Sequence, residues 1–234
     1  MKKHLSTRFL PTALLLLFLI ACYYNGFSGL YGPTRYYSFR SKPLSEGEQK
    51  TLHVIYIIGL VLIAFVFFGF GIIVKRQVGR TRKKIQEAAK FDAMWNEEKM
   101  IAYARETYLK IQEAWTQREL KQVNELVTPH FIARFQPLLN VYRQKRIVNL
   151  FENIVLDKIS IVKIQDSAND AEDSFKAYIK GSKNDYFAYD SDFTAPLGNS
   201  SETVEFEELY VFVRDGNMWK LDNIINDPEK KDFR

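Results

Sequence analysis

FEELYVFVRDGNMWKLDNI, residues 206–224, is a pair of aromatic and aliphatic runs set on either side of Asp215-Gly216. Positive φ is cheap at such a dipeptide, and two alternating runs joined by it read as a β-hairpin. Upstream of the hairpin the apolar period is also two. Residues 155–165, 173–180, 184–190 and 203–214 are strand candidates, and 218–225 closes the series. These strands are expected to form an antiparallel sheet.

Before residue 154 the period is helical. In KKIQEAAKFDAMWNEEKMIAYARETYLKIQEAWTQRE, residues 83–119, Met94, Ile101, Tyr108 and Trp115 recur every seven positions, with Ala104 and Ile111 between them. That is one apolar stripe at 3–4 spacing, and its aromatic knobs suit packing on a sheet. A second helical piece carries Leu120, Val123, Leu126 and Val127. Thr128-Pro129 then restarts a helix as N-cap and first helical residue, with Phe131, Ile132 and Phe135 on one face. Pro137 is expected to kink or end it. Leu138, Leu139, Val141 and Tyr142 lead on to the basic patch Arg143, Lys145 and Arg146. Helices first and strands afterwards make an α+β domain. Trp115, Phe131, Phe135, Phe212 and Trp219, with Tyr108, are expected to form one aromatic core and pocket lining between helices and sheet.

The N-terminal third belongs to a different solvent. Residues 52–74, LHVIYIIGLVLIAFVFFGFGIIV, include 17 Leu, Ile, Val or Phe and no Asp, Glu, Lys or Arg. As a helix they would extend ~34 Å, against a hydrocarbon core of ~30 Å, so they are expected to form a transmembrane helix. Lys75, Arg76, Arg80, Arg82, Lys83 and Lys84 follow at once. Such a flank stays on the cytoplasmic side and can rest on anionic headgroups. Residues 1–22 form a signal-like or first membrane segment, with a basic MKKHLSTRF ahead of the apolar LPTALLLLFLIAC. Leu19-Ile20-Ala21-Cys22 resembles a bacterial lipobox, which would lipidate Cys22; the other reading is a plain membrane helix ending there. Either way the chain crosses outward near residue 22 and back at 52–74, leaving the remainder cytoplasmic. Residues 23–51 are then an external loop, 75–91 a basic juxtamembrane linker, 92–226 the folded domain and 227–234 a tail.

Charge follows the same division. Residues 1–154 carry 23 basic and 11 acidic side chains, and residues 155–234 carry 10 and 17. The basicity lies beside the membrane segment while the sheet half is acidic, which points to a membrane surface and away from nucleic acid. Cys22 is the one cysteine in the sequence, so no intrachain disulfide forms.

Catalytic signals are weak. His4, His53 and His130 are the histidines, and His130 sits in the first turn of a helix. Asp185, Asp190 and Asp192 lack the spacing and glycine of a calcium loop. Glu205 and Glu207 share one strand face and Glu208 takes the other, and nothing in the sequence gives reason to expect one of them buried with a raised pKa. Neither a phosphate-binding glycine loop nor a metal-ligand cluster is present, and no cofactor is expected.

Three stretches carry a resemblance: AYARETYLKIQEAWTQRELKQVNELVTPHF at 102–131, LDKISIVKI at 156–164, and the hairpin at 206–224. With Ile111-Gln112-x-Ala114-Trp115, Leu126-x-Thr128-Pro129 and Trp219-Lys220-Leu221, they resemble the Tim-forty-four-like domain, of the nuclear-transport-factor-two-like superfamily. The resemblance covers residues 92–226. It implies helices packed into a strongly curved antiparallel sheet that leaves a pocket, in a bacterial inner-membrane protein. It also implies a membrane-facing surface with affinity for anionic lipid such as cardiolipin, for which Arg80, Arg82, Lys83, Lys84, Arg143, Lys145 and Arg146 are the candidates. No catalytic signature is among the motifs, and the mitochondrial member's long chaperone-binding region is absent. The expected function is a membrane-tethered, non-enzymatic scaffold for a protein or lipid partner. The alternative is a small-molecule-binding or catalytic domain using the same pocket.

Overall fold

A computed structural model of the 234-residue chain describes residues 46–194 and 202–233. The signal-like segment, Cys22 and most of the expected external loop lie outside them. The chain divides into two compact units, Met1–Gly71 and Ile72–Arg234.

The first helix, α1, runs over Glu46–Ala88. Among the described residues no helix is long and apolar enough to cross a membrane. The side chains of 62–70, the middle of the expected span, lie outside that description. The basic stretch is helix through Ala88 and is built into the second unit. Val74, Thr81, Ile85 and Ala88 are buried at spacings of seven, four and three, which put them on one helix face. Thr81 Oγ1 donates to the Val162 carbonyl at 2.8 Å.

The helix expected to continue through 83–119 is interrupted at 89–96. Asp92 Oδ1 accepts from the Met94 amide at 2.9 Å, a side-chain turn that competes with helix. Trp95 is buried and its indole donates to Asp166 at 3.1 Å. Asn96 then caps α2, Glu97–Thr116, by accepting from the Lys99 amide. The buried stripe of α2 is Met100, Ala104, Thr107, Tyr108, Ile111, Gln112 and Ala114. Ile101 and Trp115 fall at its margin, and Met94 precedes the helix. A 3-10 turn over Leu120–Val123 leads to α3, Pro129–Gln144. Thr128 caps α3, accepting from the Phe131 amide at 3.0 Å, as expected. Pro137 lies inside the helix, which continues for two further turns to Gln144. A proline costs the hydrogen bond to the carbonyl four residues back. Burial of Phe131 and Leu139 on either side holds the helix across that gap.

The sheet is an antiparallel meander of β1 (Ile147–Gln165), β2 (Ser174–Tyr189), β3 (Thr203–Asp215) and β4 (Met218–Asn226), in that order. Asp215 pairs with Met218 across Gly216-Asn217, and Gly216 has φ +60°, so the hairpin forms where expected. β1 begins eight residues before its candidate, at Ile147. Register shifts at Glu152/Val155, Leu156/Lys158 and Ile161/Lys163 break the two-residue period that would have revealed it. Such bulges bend a strand and raise its twist. The candidates 173–180 and 184–190 are one strand joined through Gly181.

One sheet face meets α2 and α3. Ile161, Phe175, Ala177, Ile179, Tyr210, Phe212, Trp219 and Leu221 are buried there with the helical stripes. Its rings interlock: Phe175–Phe212 at 4.5 Å, Phe175–Trp219 at 4.9 Å and Trp95–Trp219 at 5.0 Å between centroids. The outer edge of β4 is partly closed by the chain entering α3, since Thr128 donates to the Leu221 carbonyl and Leu221 to that of Leu126. Arg214, at the end of β3, ties three segments together. Its guanidinium meets Asp173 and Asp170 at 3.0 Å each and also Asp92.

At Gly181 the β1 backbone leaves no room for a side chain on β2. A Cβ there would stand 2.1 Å from the Val155 carbonyl oxygen and 2.9 Å from the Phe206 ring. Backbone cannot yield as a side chain can, so Gly181→Ala should cost at least the ~1–3 kcal/mol typical of overpacking. The urea midpoint of a fragment spanning residues 72–234 measures it, and an unchanged midpoint would contradict this packing.

Candidate functional site

Beyond Gly181 the helix-facing side of the sheet changes character. The two-residue period carries Lys183 and Asp185 onto the face of Phe175, Ala177 and Ile179, and sets Glu208 and Phe206 beside Tyr210. Glu208 pairs with Ile179 and Phe206 with Gly181 in register. β1 adds Phe151, opposite Asp185, and α2 adds Tyr108 and Gln112.

Lys183 is 5% exposed. Its Nζ stands 3.6 Å from both Asp185 Oδ2 and Glu208 Oε1. It also lies 4.5 Å from the Phe151 centroid and 5.0 Å from that of Phe206, within the reach of cation–π attraction. Tyr108 stacks on Phe206 at 5.4 Å with its ring nearly parallel. Its hydroxyl is buried without a hydrogen-bond partner among the described residues. Gln112 Nε2 reaches the Tyr210 hydroxyl at 3.4 Å. Burial raises the Glu208 pKa; Lys183 opposes that shift, and Asp185 and Asp227 add to it. Burial likewise pushes Tyr108 and Tyr210 far up, so both remain neutral hydrogen-bonding groups. This pair of ionisable groups is the feature the sequence reading missed. The signal was there: Glu208 shares strand parity with Phe206, Tyr210 and Phe212, which places a carboxylate on an otherwise apolar face. Glu205 and Glu207 take the opposite face as expected, both reaching Lys180, at 3.8 and 3.5 Å.

The expected aromatic set lies in one core. Tyr108, Phe131, Phe212 and Trp219 are buried, and Trp115 and Phe135 are half-buried against them. Phe131–Phe135 and Trp115–Phe135 are ring pairs at 4.6 and 5.7 Å. These side chains pack on one another. A groove of about 530 Å³ lies elsewhere, between the end of α1 and the end of β1, lined by Lys84, Glu87, Ala88, Phe91, Lys163, Ile164, Gln165 and Asp166. Phe91 is 92% exposed there.

Among the basic candidates, Arg80, Lys83, Lys84, Lys145 and Arg146 are exposed. Arg82 is held in a two-pronged pair by Glu97, at 2.8 and 3.0 Å. Arg143 donates to the Arg118 carbonyl at 2.8 Å. The Arg146 backbone, at φ +53°, accepts from the Asp190 amide. His130 starts α3 with its side chain 64% exposed and 3.2 Å from Asp222, which also accepts from Thr128. Asp190 binds Arg118 at 3.0 Å. The amide and hydroxyl of Thr194 bind Asp192 and lower its pKa. Among the described residues no group of His, Cys, Asp and Glu could hold a metal ion.

The sequence profile of the Tim44-like domain matches residues 81–226, from inside α1 to the end of β4. The chain belongs to the Tim44-like domain family. No curated protein matches it. Among solved structures it is similar to the intermembrane space region of the chloroplast protein ARC6, at 12% identity and a TM-score of 0.41, over 56% of this chain and 95% of that one. Within this Tim44-like domain, the end of the sheet beyond Gly181 buries Lys183 and Glu208 together.

A pH dependence follows from Glu208. Unfolded, it titrates near the ordinary value of 4.5, and burial raises that value in the native state. The native state therefore holds more protons above pH ~4.5, and its stability falls as pH rises towards the raised value. Glu208→Gln carries no such proton. Its stability relative to the wild type should rise with pH across that window in urea titrations. A constant difference would show that Glu208 is not burdened by burial.

Proposed function

We propose that the chain is a membrane-tethered, non-enzymatic binding module that presents its Tim44-like domain to a protein or lipid partner at the bacterial inner membrane. Tim44-like domains are known as protein-interaction modules. The observation that carries the reading is the continuity of α1. One helix, Glu46–Ala88, contains the apolar run 52–74 and the basic run that follows it, and its last turns bury Val74, Thr81, Ile85 and Ala88. On this reading residues 52–74 span the bilayer and residues 75–234 are cytoplasmic. A first crossing that ends near Cys22, lipidated or not, agrees with that direction. An alkaline phosphatase fusion to the C-terminus should be silent and a fluorescent-protein fusion bright. The reverse pattern would overturn the topology.

The second reading, a small-molecule site or enzyme, has one observation in its favour: buried Glu208 beside Lys183, close to the Tyr210 hydroxyl. Against it stands the filled interior, in which the aromatic side chains contact one another. General acid–base chemistry needs a substrate within ~3 Å of the acid, and the Glu208 side chain is only 11% exposed.

Arg80, Lys83 and Lys84 on α1, with Lys145 and Arg146 after α3, are the residues proposed to meet anionic headgroups. Arg82 and Arg143 belong to the same patches but already hold intramolecular partners. Exposed pairs of that kind are worth ~1 kcal/mol or less, so an anionic surface can compete for them. A fragment spanning residues 72–234 should co-sediment with anionic vesicles and release them as salt rises from ~0.1 M to ~1 M, where the Debye length falls from ~10 Å to ~3 Å. Equal binding to neutral vesicles, or none to either at low salt, would reject the lipid role.

A further inference from the structure

The second face of the sheet has a buried patch of its own, outside the main aromatic core. Val162, Tyr178 and Leu209 are 0%, 4% and 0% exposed. Tyr178 pairs with Leu209 in register. By strand parity all three point away from α2 and α3. Two things lie against this face. One is the last part of α1, through Thr81 and the Val162 carbonyl. The other is the C-terminus of the chain.

After β4, Asp227 takes φ +49° and turns the chain back. Residues Lys230–Phe233 then form one short 3-10 turn. That turn fastens itself: Glu229 donates its amide to Asp232 Oδ2 at 2.7 Å, and the Asp232 amide donates to the Glu229 carbonyl at 2.9 Å. Its contacts with the domain have a consistent chemistry. Gln77 Nε2 donates to the Phe233 carbonyl at 3.1 Å, and Lys176 Nζ donates to the Asp232 carbonyl at 2.6 Å. The Phe233 side chain is 2% exposed, and its ring lies 5.9 Å from that of Tyr178. Burial is the main cause that lowers the Lys176 pKa, as it would for a cation shut in beneath the tail.

We propose that the surface formed by Gln77, Lys176 and Tyr178 is a peptide-docking groove, and that residues 230–233 occupy it as an internal stand-in for the segment of a partner protein. Two side-chain donors capture successive main-chain carbonyls, which recognises a peptide backbone whatever its sequence. One aromatic position supplies selectivity, the division of labour common to peptide recognition. The partner segment is therefore a short turn with a buried aromatic preceded by an acidic residue and basic neighbours, as in Lys230-Lys231-Asp232-Phe233. Two side-chain donors and one ring pair hold the turn, so a segment of like chemistry can compete for the same surface. The turn also keeps the apolar face covered while no partner is bound. The inference rests on the reading of the domain as a protein-binding module but uses a surface distinct from the basic patches. Its failure would leave the topology and vesicle experiments untouched.

The test uses the full chain in detergent and a fluorescent peptide of residues 227–234, DPEKKDFR. A chain ending at Glu229 should bind the peptide saturably by anisotropy. The intact chain, whose own tail competes, should bind at least about tenfold more weakly, a difference of ~1.4 kcal/mol. A peptide with alanine in place of the phenylalanine should not bind. In the shortened chain, Lys176→Met with Gln77→Leu should lose at least about tenfold. If the shortened chain does not fold, the full chain with Phe233→Ala takes its place, with the same binding expected. Absence of peptide binding to a folded variant overturns the proposal. Unfolding of both variants overturns it too, since the tail would then be an integral part of the domain.

Discussion

The Val155 carbonyl lies where a side chain at position 181 would begin, and the sheet is organised around that approach. Only glycine lets β1 come so near β2, and β1 meets the demand with irregular registers on both sides of the contact. A strand of nineteen residues with three register shifts is bent along its length. The chemistry changes at the same point. On the near side of Gly181, Phe175, Ala177 and Ile179 bury apolar surface against α2. On the far side the same face of the same strand offers Lys183 and Asp185. The aromatic core and the buried ion pair are thus two halves of one surface.

Helix α1 matters for a related reason, since it closes the face that α2 and α3 leave open. Its side chains perform two tasks that helical geometry keeps apart. Positions 74, 81, 85 and 88 fall on one side and pack. Positions 75, 76, 80, 83 and 84 fall elsewhere and stay in water. A basic run read as a string of charges looks like a solvated linker. As a helix it has an apolar seam, and the Arg82–Glu97 pair fixes its far end to the start of α2. The run therefore serves the domain's packing as well as its charge.

How much of this was legible follows from which signals are local. The hairpin at Asp215-Gly216, the Thr128 cap and the order of helices before strands depend on neighbours in sequence, and all were readable. What escaped notice depended on distant partners. The first eight residues of β1 were hidden because bulges disrupt the alternation that marks a strand. The break at 89–96 was hidden because Trp95 leaves the helix for Asp166, seventy-one positions away. Pro137 does not end α3, and the packing of Phe131 and Leu139 that carries the helix past it lies in tertiary contacts. Glu208 is set apart from Glu205 and Glu207 by strand parity, but nothing local marks its burial, because its partner Lys183 sits on another strand.

The buried pair bears on what the domain can do. Taking a lysine and a carboxylate out of water is costly, and their mutual attraction seldom returns more than the loss. Such a pair is poor as a source of stability and useful for fixing one arrangement, since a shifted register would strand either charge. Lys183 between two rings and two carboxylates, on the face that must curve past Gly181, specifies the pairing of β2 with β3 at the point where bulges loosen that of β1 with β2. The same closure leaves the Glu208 side chain 11% exposed. The pair thus holds the shape of the sheet at its irregular end.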